Sequence, residues 1–267
     1  MEGFEKVLQT DWNLFLKLSL PLVIPILGAL VLILISAFHR TYLKTIGFWI
    51  ALISINAALI FAVVNWLQAP PFVLLRVGFD RLSYAFDMIF LVAGLLSLFL
   101  SHDYLEQEKI PAGEYYTLIL FALSGASFLV HGADLIVSFL GLEVMSIAAY
   151  VLAGTKQGMI RSAEASLKYF ILGAFASGFL LYGIALIYGA AGSTAYSDLQ
   201  SLSIPPTSSI LVFSGIACVL IGVCFKVAAV PFHAWSPDVY EGAPTSVTAF
   251  MASVVKAAGF SFWLDSF

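Results

Sequence analysis

Long apolar runs separated by short polar turns are the dominant pattern of this chain. A spanning helix needs about 20 mostly apolar residues. By that rule eight spans are expected, near Leu14–Phe38, Ile46–Leu67, Leu82–Leu100, Tyr115–Val130, Leu135–Leu152, Leu167–Tyr188, Ser209–Val230 and Val247–Leu264. The pattern predicts an all-α, polytopic transmembrane helix bundle. Spans four and five are joined by little more than His131-Gly132-Ala133-Asp134, which makes them a tight antiparallel pair. Pro21 and Pro25 lie near one end of span one, where membrane helices tolerate proline if neighbours re-satisfy the backbone. No loop is long enough for a separate domain. The chain therefore divides into residues 1–80, holding spans one and two with the following loop, and residues 81–267, holding spans three to eight.

The seventh run breaks the pattern. From Ser209 it carries no charge for more than four turns, then meets Lys226, Pro231 and His233. A lysine at membrane depth costs about 2.5–3.5 kcal/mol on the insertion scale. A helix break at that depth survives only where it is buried in protein or lines a wet cavity. Helix seven is thus expected to break near Pro231, at a place where something titrates.

Composition confirms the class and removes others. Only 10% of residues are charged, against about 25% in soluble domains, and the mean hydropathy is +1.00. The net charge of −4 is spread out, so there is no basic face for nucleic acid. Cys218 and Cys224 lie on one predicted helix without facing each other and read as apolar filler. Arg40, Lys44, Lys109, Lys156 and Arg161 flank loops one–two, three–four and five–six, while the opposite side holds Lys6, Arg76 and Arg81. Cytoplasmic loops carry the excess of Lys and Arg, which places loop one–two in the cytoplasm and the N-terminus outside.

Five ionisable groups fall within or beside spans five to eight. Glu143 is near the middle of span five and Lys168 near the start of span six. Lys226 is late in span seven, His233 follows its break, and Lys256 is in the middle of span eight. Such groups must pair with one another or touch water. Removal from water disfavours the charged form of each, which brings them towards states that exchange protons. A row of them from neighbouring helices is what a proton relay needs. Lys168 also stands four residues after Glu164, the spacing of a helix-surface ion pair, and could snorkel. His233 could instead cap or brace the break. Asp80, Arg81, Asp87 and Arg76 read as interfacial, and Trp49, Trp66 and Trp263 suit the headgroup belt. Phe170, Phe175 and Phe179 recur at helical spacing and read as packing, and Gly173, Ser177 and Gly178 would let helix six approach a neighbour. There is no GxGxxG, Walker A, CxxC or His/Cys cluster of metal spacing, so no nucleotide, flavin, haem or iron–sulfur site is expected in this chain.

The stretch Phe225-Lys226-Val227-Ala228-Ala229-Val230-Pro231-Phe232-His233-Ala234-Trp235-Ser236-Pro237-Asp238-Val239-Tyr240-Glu241-Gly242-Ala243-Pro244-Thr245 closely resembles the signature of the antiporter-like membrane subunits of respiratory complex I. Its Asp-Val-Tyr-Glu-Gly-Ala-Pro wording is similar to the subunit N (subunit 2) branch of NADH-quinone oxidoreductase. Residues 142–152 and 163–177 agree with it, and the match runs from about Asp80 to Phe260. The resemblance implies a first half of an inverted-repeat fold of about fourteen helices, with the second bundle absent from these 267 residues. A truncated gene product or fragment is therefore expected. It implies that Glu143 pairs with Lys168 and tunes it, and that Lys226 is the lysine of the broken helix. It further implies that His233 links the half-channel to the central axis and that Lys256 passes the proton onward. It implies proton translocation coupled to NADH oxidation by quinone, with NADH, FMN, iron–sulfur clusters and quinone in partner subunits and no cofactor or metal in this chain. The expected partners are neighbouring antiporter-like and small K/J-type membrane subunits and the lipid of the cell inner (plasma) membrane. A cation/proton antiporter subunit and a non-pumping structural subunit are the rival readings.

Overall fold

The computed structural model describes residues 12–38, 43–68, 71–200 and 209–266. Eight helices among these residues are long and apolar enough to cross a membrane. They are α1 (Leu20–Phe38), α2 (Leu43–Gln68), α3 (Arg81–Gln107), α4 (Ala112–Val130), α5 (Leu135–Ala153), α6 (Ile160–Ala191), α7 (Ser209–Val227) and α8. The last runs Thr245–Phe250, passes through a π-helical turn at Met251–Val255, and resumes at Lys256–Ser266. The eight spans expected from the apolar runs are therefore present, each within a few residues except at the ends of α3 and α6.

Helix α4 is the axis of the bundle. In its most apolar stretch 78% of residues are buried, against 33% for α1 and α6, which lie on the outside. The tight pairing of α4 with α5 depends on glycine at the crossing. A Cβ on Gly125 would lie 2.8 Å from the Gly141 carbonyl oxygen and 2.9 Å from Met145 Cα. These are backbone atoms that cannot rotate away. We expect Gly125→Ala to destabilise the bundle by about 1–3 kcal/mol, read as a lower melting temperature of the purified chain.

Capping side chains start α3 and α5. Asp80 Oδ1 accepts from the Ser83 N–H at 2.7 Å and Asp134 Oδ1 from the Ile136 N–H at 2.8 Å, each satisfying an orphan donor of a first turn. The loop before α3 is more ordered than its sequence suggested. Strands β1 (Phe72–Leu74) and β2 (Val77–Phe79) form an antiparallel hairpin with Phe72 opposite Phe79. The two turn residues, Leu75 and Arg76, take φ of 54° and 64°, the geometry of the tightest hairpin turns. The Gly78 N–H donates to the His131 carbonyl at 2.7 Å, and the Ala133 N–H to the Arg76 carbonyl at 2.9 Å. The hairpin is thereby pinned to the α4–α5 turn.

The seventh helix ends before its proline. It stops at Val227, Ala228 turns into the left-handed region at φ 58°, and the Val230–Pro231 bond is cis. Two late carbonyls of α7 are satisfied by the returning chain. The Cys224 carbonyl accepts from the Ala229 N–H at 2.8 Å, and the Phe225 carbonyl from Trp235 Nε1 at 2.9 Å. A two-turn helix at Ser236–Gly242 then leads to α8.

Several expectations are corrected. Asp87 is not interfacial: its side chain is wholly buried against His131. Phe170 and Phe175 face outwards from α6, 51% and 70% exposed, and meet Tyr150 and Phe179 edge to face. Gly178 faces open space, whereas Gly173 does meet a neighbour, Tyr150. Of the cations read for orientation, Lys44 pairs with Glu106 and Lys156 with Glu108. Lys6, Arg40 and the side chain of Trp263 lie outside the described residues.

Candidate functional site

The site forms where α5, α6 and α7 meet, at the last turn of α7. Lys226 is 2% exposed, and its Nζ has no hydrogen-bond partner among the described residues. The ammonium sits over two aromatic faces, 5.2 Å from the Tyr150 centroid and 5.4 Å from that of Tyr169. Each such contact is worth about 0.5–2 kcal/mol, and a cation in a last helical turn gains about 0.3–1 kcal/mol more. Together these are comparable to the ~2.5–3.5 kcal/mol cost of holding lysine at membrane depth.

The two tyrosines are fixed from behind. Their rings meet edge to face at 4.6 Å, and Tyr169 stacks on Trp235 at 4.5 Å and 11°. Trp235 belongs to the segment after the break, so the break itself builds the floor under Lys226. A small cavity opens beside the amine, lined by Tyr150, Gly173, Ser177, Gly222 and Lys226 among others, with about 10 Å³ for water centres. That is room for about one water.

Glu143 is tied to this cavity through Ser177, which lines it. It accepts a 2.5 Å hydrogen bond from Ser177 Oγ, so Ser177 touches the carboxylate and lines the cavity of Lys226. Among the described residues Glu143 does not pair with Lys168, as the family resemblance implied. Lys168 Nζ instead lies 2.7 Å from both Glu164 and Asp238, and its side chain is 43% exposed. Glu164 stands one turn before Lys168 on α6, and the chain folds back after the break to bring Asp238 to the same amine. Because two acids share this lysine in the open, Glu164→Gln or Asp238→Asn alone should cause no measurable change in thermal unfolding.

His233 is exposed, and its carbonyl accepts from the Ser236 N–H and Oγ, both at 3.0 Å. It braces the break through its backbone, while its ring does not reach Lys226. Lys256 is half-buried at the exit of the π turn, 5.4 Å from the Tyr240 ring centroid. Tyr240 meets Trp235 edge to face at 5.8 Å. An aromatic wall thus runs from Lys226 through Tyr169, Trp235 and Tyr240 to Lys256. Burial pushes the Tyr240 phenol up to about 12, so at neutral pH it is a hydroxyl, able to donate and accept but not to hold a charge. Sequence reading missed Tyr150, Ser177 and Tyr240. For Tyr150 a signal existed: Glu143, Ser146 and Tyr150 share one stripe of α5 at helical spacing.

Residues 132–265 match the family described as "NADH:quinone oxidoreductase/Mrp antiporter, TM". NADH-quinone oxidoreductase subunit N of Trichlorobacter lovleyi is 42% identical over 257 residues, covering 96% of this chain and 53% of that protein. A chain of respiratory complex I from Thermus thermophilus superposes with TM-score 0.79 at 32% identity, over 92% of this chain and 52% of its own. A chain of the membrane-bound sulfane sulfur reductase, an archaeal respiratory membrane complex, does so with TM-score 0.80 at 26% identity, over 91% and 51%. The chain spans about half the length of the relatives it matches.

Proposed function

The chain belongs to the NADH:quinone oxidoreductase/Mrp antiporter transmembrane family, and from that membership we propose that it is a proton-translocating membrane subunit of an NADH-quinone oxidoreductase. The observation that carries this reading is Lys226, enclosed, without a hydrogen-bond partner, and sharing a one-water cavity with the Ser177 that holds Glu143. Packing alone gives no reason to keep an amine there, since a methionine would fill the same space.

The proposed route uses this chain's own groups. Lys226 Nζ takes and releases a proton, and Glu143 sets how strongly, through the field of its carboxylate. Ser177 fixes that carboxylate by its hydrogen bond. Lys256, reached along the Tyr169–Trp235–Tyr240 wall, receives the proton next. Lys168 with Glu164 and Asp238 forms a charged cluster at one end of the route, and His233 holds the break open at its surface. NADH oxidation, flavin, iron–sulfur and quinone chemistry belong to partner subunits in this reading. Those partners are neighbouring antiporter-like and small K/J-type membrane subunits. The chain lies in the cell inner (plasma) membrane with its N-terminus outside the cytoplasm.

The family description also names Mrp antiporters, so a cation/proton antiporter subunit is the specific rival. Purification of the tagged chain in mild detergent separates the two. NADH-dependent quinone reduction in the purified assembly is the expected result. An assembly free of reductase activity that exchanges cations for protons would favour the rival.

A further inference from the structure

The Asp87–His131 pair has no part in the route above. Both side chains are 0% exposed. Asp87 lies about two turns into α3, and His131 sits in the α4–α5 turn. His131 Nδ1 is 2.7 Å from the Gly78 carbonyl oxygen and Nε2 is 2.9 Å from Asp87 Oδ2. A carbonyl oxygen only accepts, so Nδ1 carries a hydrogen. The proton between Nε2 and Oδ2 can sit on either atom with no change in the pair's net charge, as imidazolium with carboxylate or as imidazole with carboxylic acid. Asp87 Oδ1 is buried with no hydrogen-bond partner among the described residues. A buried acceptor left in that state is costly.

We propose that Asp87 and His131 form a proton-binding dyad, a second protonation site of this bundle at the hairpin end of α3 and α4. Helix α5 begins beside His131 and ends just before α6, where Lys168 lies. The dyad and the Lys168 cluster therefore mark opposite ends of the same span. The dyad's place at the far end of a proton route rests on the transport reading above, but its protonation is a property of the chain and does not.

The surroundings suit a single stored proton. The titratable neighbours on this side are Asp80, the N-cap of α3, which acts through its charge, and Tyr84 of α3, whose ring lies 5.1 Å from that of His131. The hairpin presents the Gly78 carbonyl and the Phe79 ring, 5.2 Å away. The Tyr84 hydroxyl donates to the Leu18 carbonyl, just before α1, and accepts from the Asn65 amide of α2. Among the described residues no basic side chain other than His131 forms an ion pair with Asp87. Burial by itself pulls an imidazolium down, but Asp87 beside it and the Gly78 carbonyl hold His131 above its ordinary value. The sign follows: the stability that His131 gains from its raised value is complete below pH 6.5, the ordinary value, and declines as pH rises through the raised one.

A structural pin needs only hydrogen bonds, and an asparagine can supply them. The test is ¹⁵N-histidine NMR of the full chain in lipid nanodiscs, with the signal assigned by His131→Gln. The expected spectrum shows both His131 nitrogens protonated at neutral pH, with Nε2 changing state on further rise. Asp87→Asn is expected to lower the proton affinity of His131 by about 10- to 1,000-fold, the effect of losing an adjacent opposite charge, with Nδ1 still protonated. A His131 ¹⁵N spectrum that does not change anywhere over about pH 5–9 in the parent would overturn the proposal, as would an Asp87→Asn titration that does not move. If Asp87→Asn does not fold, the parent decides alone, because a pH-invariant Nε2 rejects an exchangeable proton.

Discussion

Lys226→Met is expected to give a protein more stable than its parent that moves no protons. The side chains have similar volume, so the jigsaw around Tyr150 and Tyr169 is kept. The cation–π contacts are lost, but a thioether against aromatic rings recovers about 0.3–1.5 kcal/mol. What disappears is a 2%-exposed amine without a hydrogen-bond partner, and removing an unsatisfied buried polar group returns about 1–3 kcal/mol. For a chain of this size that raises the melting temperature by about 2–4 °C per kcal/mol. Gain of stability with loss of function is the mark of a group held at a site for its chemistry. A Lys226→Met variant that melts well below the parent would mean that the lysine has a hidden structural partner.

Glu143→Gln tests the other half of the site. The amide keeps an acceptor for Ser177 Oγ and a similar shape, so the fold is expected to persist. It removes the negative charge whose field acts on Lys226 across the cavity. Proton flow should fall by about 100-fold, the usual weight of one positioned acid–base group. Ser177→Ala keeps the charge but removes the hydrogen bond that fixes it. A bond to a charged group is worth about 1.5–3 kcal/mol, so a fall of about tenfold is expected, less than for Glu143→Gln. Equal and small effects from both variants would place Glu143 outside the route.

The spans were legible because lipid-facing helices must be apolar along their whole length, and the break because Lys226 and Pro231 violate that rule within six residues. Partners were harder to read. Hydropathy does not say which face of a helix looks inwards, so Asp87 near the start of span three resembled an interfacial acid. Its partner His131 lies 44 residues away. Lys168 was legible through its i,i+4 neighbour Glu164, but its tie to Asp238, 70 residues on, needed the chain to fold back after the break. Ser177 looked like a small packing residue, and only its place opposite Glu143 gives it a chemical role. The hairpin at Phe72–Phe79 was hidden because three-residue strands carry too little alternation to stand out.

The central claim is that protons cross this chain by way of Lys226. It is tested most directly by counting protons moved per NADH oxidised in membrane vesicles carrying Lys226→Met, beside vesicles of the parent. The expected result is continued NADH oxidation with fewer protons moved for each turnover. The parental yield in the variant, at an unchanged oxidation rate, would contradict it.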